Sequence, residues 1–160
     1  MTNDILDLAA SLGRALEAKR LVLATAESCT GGGVAQAVTE IAGSTGWFEC
    51  GFVTYSNASK AEMLDVSPAL IAQFGSVSEE VAAAMAEGAL ANSAADVTVS
   101  TTGIAGPSGA VPGKPVGTIC FGWAKGDVTL TERRVFAGDR RAVREQTVAH
   151  ALQGLLRFIE

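Results

Sequence analysis

Histidine is nearly absent: the chain of 160 residues has one, His150. A Ser-His-Asp or Cys-His arrangement therefore has a single candidate base, and a histidine-rich metal site has no ligands to draw on. Cysteine is scarce as well. Cys29, Cys50 and Cys120 are odd in number and show no Cys-x-x-Cys spacing. That argues against a disulfide framework and a cysteine zinc site, and fits a reducing, cytoplasmic setting. Basic residues are outnumbered, 12 Lys and Arg against 17 Asp and Glu, for a net charge of −5. A protein that neutralises many phosphates carries a basic surface, so no nucleic-acid partner is expected. The nearest clusters, Arg133–Arg134 and Arg140–Arg141–Arg144, suit a small anion. No uncharged apolar run reaches the roughly 18 residues of a membrane span. The acidic Met1-Thr2-Asn3-Asp4 lacks the basic start of a signal peptide. No membrane partner and no secretion are expected.

What is present is globular in composition: 48% apolar and 18% charged residues. The length suits one domain, residues 1–160, able to bury roughly 70% of its unfolded surface. Eighteen glycines point to tight turns and close backbone approaches.

Asn3 or Asp4 is positioned to cap a first helix, along which Ile5, Leu8, Leu12 and Leu16 form one stripe. Residues 21–26 are a short apolar run of strand length, broken by Glu27-Ser28-Cys29-Thr30-Gly31-Gly32, and Gly33 to Ala42 reads as a helix ended by Gly43. Trp47 to Tyr55 reads as a strand. Asn57 is the expected cap of a short helix with Lys60, Ser67-Pro68 starts another, and Ser78 opens a third running to Asn92. Asp96 to Thr102 reads as a strand, residues 103–115 as a loop, and 116–125 with 128–136 as a hairpin about Gly126-Asp127. Asp139 caps a final helix. Strands alternate with helices early and pair as a hairpin late. The expected fold is a single three-layer α/β/α sandwich with a mixed sheet of about five strands.

His150 lies about 200° round the last helix from Val148, nearly opposite its apolar stripe, and is expected to be solvated or at a subunit contact. Gly31-Gly32-Gly33 is not followed by Lys-Ser or Lys-Thr, and Gln36 stands where a dinucleotide fingerprint needs glycine. No cofactor and no metal are expected. The turn 27–32 remains. Ser28, ending a strand before a helix, is placed either as a nucleophile beside free N–H groups or, with Thr30, as a cap of that helix. Cys29 has no histidine to activate it and suits packing. A serine without histidine needs another base. Of the four lysines, Lys19 and Lys125 read as solvated, leaving Lys60 and Lys114. Lys60, with Tyr55, sits where a strand passes into a helix and is either a base or a surface lysine. The glycines after Thr101-Thr102, in Gly103-Ile104-Ala105-Gly106-Pro107, offer backbone donors to an anion or serve only as a connection.

Together these segments carry a resemblance. Thr25-Ala26-Glu27-Ser28-Cys29-Thr30-Gly31-Gly32, Thr54-Tyr55-Ser56-Asn57 with Lys60, Gly103-Ile104-Ala105-Gly106-Pro107, Lys114-Pro115-Val116-Gly117-Thr118, and Gly138-Asp139-Arg140 with Val143-Arg144 resemble, in order, the CinA C-terminal domain family. The resemblance implies hydrolysis of the carboxamide of nicotinamide mononucleotide to nicotinate mononucleotide and ammonia, in pyridine-nucleotide recycling, by a homodimer without cofactor. It implies Ser28 as nucleophile and Lys60 with Tyr55 as base. Thr30, Gly31, Gly32, Thr102, Gly103, Ala105, Gly106 and Arg140 are the expected substrate contacts, with the Gly103 to Gly106 turn the first expected phosphate donor and Arg140 with Arg144 the second. Two other readings stand beside it: a non-catalytic pyridine-nucleotide-binding module, and a Ser/Lys amidase for another small amide.

Overall fold

The apolar run after residue 20 forms β1 (Leu23–Glu27), buried along its whole length, in a computed structural model that describes residues 1–160. Burial on both faces explains why the strand reads as continuous apolar sequence rather than as an alternation. On one side β1 pairs in parallel with β2 (Phe48–Val53), on the other in parallel with β3 (Val97–Gly103). Then come β4 (Thr118–Lys125) and β5 (Val128–Val135), both antiparallel. The order is β2-β1-β3-β4-β5, a mixed five-stranded sheet as expected.

Helices cover both faces. The larger apolar cluster lies under α1 (Asn3–Lys19), α2 (Gly33–Thr39) and α6 (Arg140–Phe158), and joins Leu12, Leu16, Val34 and Leu152 to Phe121 and Trp123 of the sheet. The smaller lies under α3 (Asn57–Leu64), α4 (Pro68–Phe74) and α5 (Glu79–Ala91), around Ala26, Leu64, Val81 and Met85. The result is the three-layer sandwich. No helix is long and apolar enough to cross a membrane.

Boundaries shift for identifiable reasons. Thr2, not Asn3 or Asp4, caps α1, its hydroxyl accepting from Ile5 N at 3.3 Å. Ser56, not Asn57, caps α3 through Ser59 N at 3.1 Å. The helix from Gly33 stops at Thr39, and a 3₁₀ turn follows at Ser44–Gly46. The loop after β3 is partly ordered by a bridge between Val111 and Lys114. His150 is not solvated. Its side chain is 12% exposed and bonded to Glu132 at 2.9 Å, with its ring 4.7 Å from that of Phe121. Its face of α6 lies over the aromatic residues Phe121, Trp123 and Phe136, so the helix buries more than one stripe.

The topology selects one place for chemistry. From β1 the chain goes to β2 on one side and returns to β3 on the other, so the strand order reverses beside β1. In open α/β sheets ligands bind outside the carboxyl ends of strands at such a point. Ser28, Thr54 and the loop after Gly103 all emerge there.

Helix α3 rests on α5 through Gly88. A Cβ at Gly88 would meet the carbonyl oxygen of Leu64 and stand 2.8 Å from its carbon. Alanine in a helix normally gains about 1 kcal/mol over glycine. Gly88→Ala is instead expected to destabilise by about 1–3 kcal/mol through overpacking, read as a lower urea midpoint.

Candidate active site

Ser28 is the first residue past β1. Its N–H donates to Thr101 O at 2.9 Å, carrying the parallel pairing one residue beyond the strand. The chain then turns sharply. Gly31 and Gly32 have φ of 60° and 100°, values that a side chain would strain. Neither Ser28 nor Thr30 caps α2. Its N-cap, Gly32, has no side chain to offer, and the cap comes from Glu27. This buried carboxylate accepts from Val34 N at 2.8 Å, Ala35 N at 3.1 Å and Thr30 Oγ1 at 2.5 Å. Negative charge at a helix N-terminus is favoured by the helix dipole as well as by the bonds. Thr30 Oγ1 also meets Thr101 Oγ1 at 2.8 Å. From the other side Arg144 donates to Cys29 O at 3.1 Å and Thr30 O at 3.2 Å. The turn is thus held by a carboxylate and a guanidinium. Glu27 was missed in the sequence, because it lies seven residues before the N–H it caps, and Arg144, expected as a phosphate donor, instead holds the turn's carbonyls.

Lys60 reaches the same point from α3. The side chain is 1% exposed. Its Nζ lies 3.1 Å from Ser28 Oγ, 3.0 Å from Thr54 O and 3.2 Å from Tyr55 O. Burial strips the ammonium of water and lowers the pKa from the ordinary lysine value, while Cys29 opposes the shift. Cys29 is buried in turn. Burial, with Glu27 adding to it and Arg144 and Lys60 opposing, pushes the thiol up to about 12.

A cavity of about 470 Å³ opens on Ser28 and Lys60. Its wall contains Thr102, Gly103, Ala105, Gly106 and Arg140, five of the expected contacts. Thr30, Gly31 and Gly32 lie outside that wall, and so does Arg144. Tyr55 is 62% exposed. Its phenol bonds Arg140 Nη2 at 3.2 Å, so its carbonyl, not its hydroxyl, faces Lys60. Arg140 also donates through Nη1 to Gly106 O at 2.8 Å. Lys114 lines the cavity without reaching Ser28, its Nζ donating to Phe74 O at 2.8 Å. The cavity wall therefore carries Lys60, Lys114 and Arg140 and no carboxylate, on a chain with a net charge of −5. The N–H groups of Cys29, Ala105 and Gly106, all in the wall, donate to no protein acceptor. No group of three or more His, Cys, Asp or Glu side chains is gathered to hold a metal ion.

A buried serine hydroxyl against a desolvated amine, beside free backbone donors, is the equipment of acyl transfer without histidine. Known proteins resemble the chain over nearly its whole length. The profile of the CinA C-terminal domain matches residues 5–159. The nicotinamide-nucleotide amidohydrolase PncC of Pseudomonas putida is 52% identical over 154 residues, covering 96% of each chain. That of Escherichia coli K12 is 51% identical over 155 residues, covering 96% of this chain and 93% of the other. The crystal structure of the competence/damage inducible protein CihA from Agrobacterium tumefaciens superposes with a TM-score of 0.96 at 40% identity, covering 100% of this chain and 98% of that one. The chain belongs to the CinA C-terminal domain family.

With its pKa pushed up to about 12, Cys29 holds roughly one thiolate in 10⁴ at pH 8 and is a poor nucleophile. The folded protein is expected to resist alkylation at Cys29 at that pH, read by peptide mass spectrometry. Cys29→Ala is expected to keep most of its activity. Loss of turnover in a folded Cys29→Ala protein would point to the thiol, not the Ser28 hydroxyl, as the nucleophile.

Proposed function

We propose that the chain hydrolyses the carboxamide of nicotinamide mononucleotide to nicotinate mononucleotide and ammonia, with Ser28 as nucleophile and Lys60 as its base. The two relatives named as nicotinamide-nucleotide amidohydrolases support this substrate. The observation that carries the mechanism is the 3.1 Å approach of Lys60 Nζ to Ser28 Oγ.

Donor arithmetic supports the direction of proton transfer. An ammonium has three N–H donors and no lone pair, whereas the neutral amine has two donors and one lone pair. Thr54 O and Tyr55 O can only accept, and both lie within hydrogen-bond distance of Nζ. In the neutral amine they take the two N–H groups, and the lone pair is left facing Ser28 Oγ. The hydroxyl, which also lies 3.4 Å from Tyr55 O, then has the nearer amine at 3.1 Å as its proton acceptor, with no relay through the Tyr55 phenol. The substrate adds to the effect. Its pyridinium is a cation beside Lys60, and a like charge favours the neutral amine further.

The steps balance as acyl transfer. Lys60 takes the Ser28 proton as Oγ bonds to the carboxamide carbon. The carbonyl oxygen becomes an oxyanion, held by the free N–H of Cys29 and its neighbours in the wall. The C–N bond breaks, the nitrogen takes the proton from Lys60, and ammonia leaves. Water then gives a proton to Lys60 and attacks the ester. The ester bond to Oγ breaks, Lys60 returns the proton to Ser28, and the acid is released.

The test is ammonia release from nicotinamide mononucleotide, its riboside and nicotinamide, with Lys60→Met as the control. In Lys60→Met, kcat is expected to fall by about 10²-fold or more, with KM little changed. Below the lowered Lys60 pKa the amine is protonated and cannot accept, so wild-type kcat rises with pH through that value and levels above it. That limb is absent in Lys60→Met. A Lys60→Met enzyme with intact kcat and raised KM would make the lysine a substrate ligand instead.

A further inference from the structure

Resting on that reading of the substrate as a phosphate monoester, we propose that Lys114, with the backbone N–H groups of Ser76 and Val77, forms the subsite that holds the phosphate and selects nucleotide over nucleoside. Of the three cations in the cavity, Lys60 is committed to Ser28. Arg140 is exposed, and each of its Nη atoms already donates, one to Gly106 O and one to the Tyr55 phenol. It braces the cavity wall, and solvent screens its charge. Lys114 is half-buried, where screening is weaker. It makes no ion pair, and one of its three donors goes to Phe74 O at 2.8 Å. Two N–H groups of the ammonium remain.

Those two have company. Ser76 and Val77 line the same cavity, and their N–H groups donate to no protein acceptor. The Ser76 carbonyl, by contrast, is engaged by Thr102 Oγ1 at 2.7 Å. Successive free N–H groups form a concavity suited to anions. Lys114 Nζ lies directly beside it, 3.1 Å from where a Cβ on Gly75 would stand. Gly75, with φ of 82°, both ends α4 and leaves room for the amine.

The lysine is also presented on fixed backbone. Val111 N donates to Lys114 O at 3.1 Å and Lys114 N to Val111 O at 2.9 Å, while Arg133 Nη2 holds Gly113 O at 2.5 Å. A preset cation and two preset N–H groups give a doubly charged phosphate charge-assisted bonds that a riboside hydroxyl does not return.

The test pairs kinetics with direct binding of inorganic phosphate by calorimetry, so that the subsite and the reaction fail separately. In Lys114→Met, and in Lys114→Gln, which keeps a donor for Phe74 O, KM for nicotinamide mononucleotide is expected to rise about tenfold or more. The dissociation constant for phosphate rises by a similar factor, and kcat stays within about threefold. Lys114→Arg, which keeps the charge, recovers most of the loss. The subsite is overturned if both constants stay within twofold, or if Arg140→Met abolishes phosphate binding while Lys114→Met does not. A wild-type protein inert toward the nucleotide overturns the reading of the reaction, and phosphate binding still decides the subsite.

Discussion

An amine taken out of water must find acceptors, and the placing of Lys60 constrains everything around the site. Burying a charged or polar group without partners costs several kcal/mol, of order the stability of a small domain. The three oxygens around Nζ are Ser28 Oγ, Thr54 O and Tyr55 O, the two carbonyls as acceptors and the hydroxyl able to accept from an ammonium or donate to a neutral amine. The first is supplied by the end of β1 and the others by the end of β2, so the two strands must lie side by side and in parallel. The lysine comes from α3, so that helix must be seated on α5, which the missing side chain of Gly88 allows. Sheet order, helix packing and proton acceptor are one requirement seen at three scales.

The turn after β1 meets the same demand in opposite charge. Glu27 draws the α2 N-terminus and Thr30 toward itself, and Arg144 takes the carbonyls of Cys29 and Thr30. With those groups satisfied, the N–H of Cys29 is left over in the cavity wall. A site that must stabilise a developing oxyanion gains from donors fixed before the reaction begins. The cavity completes the separation of charge: the acids that make the chain negative lie elsewhere, and the charged side chains in the wall are all cations.

Much of the fold was legible because each element carries its own local signal. The buried run at β1, the Ser67-Pro68 and Asp139 helix starts and the hairpin about Gly126-Asp127 are all local patterns. The cap positions shifted by a residue or two where neighbouring hydroxyls compete, as at Thr2 and Ser56. The site was legible in part. Ser28 and Lys60 stood out because a chain with one histidine has few other ways to activate a serine. Their meeting was not legible, since they are 32 residues apart and are brought together by the pairing of β1 with β2. The capping role of Glu27 and the bracing role of Arg144 were hidden for the same reason, as was the orientation of Tyr55, whose identity suggested its phenol while its carbonyl faces the amine. His150 was misplaced because a helical wheel shows one stripe and cannot show a second covering layer.

The central claim is that Ser28, its proton taken by Lys60, becomes covalently attached to the acyl group. The most direct measurement is rapid acid quench of the enzyme with nicotinamide mononucleotide, followed by peptide mass spectrometry. A transient adduct of substrate minus ammonia on the peptide that contains Ser28, abolished in Ser28→Ala, is the result the account predicts. Ammonia release with no such adduct at any time, or an adduct located on Cys29, would contradict it.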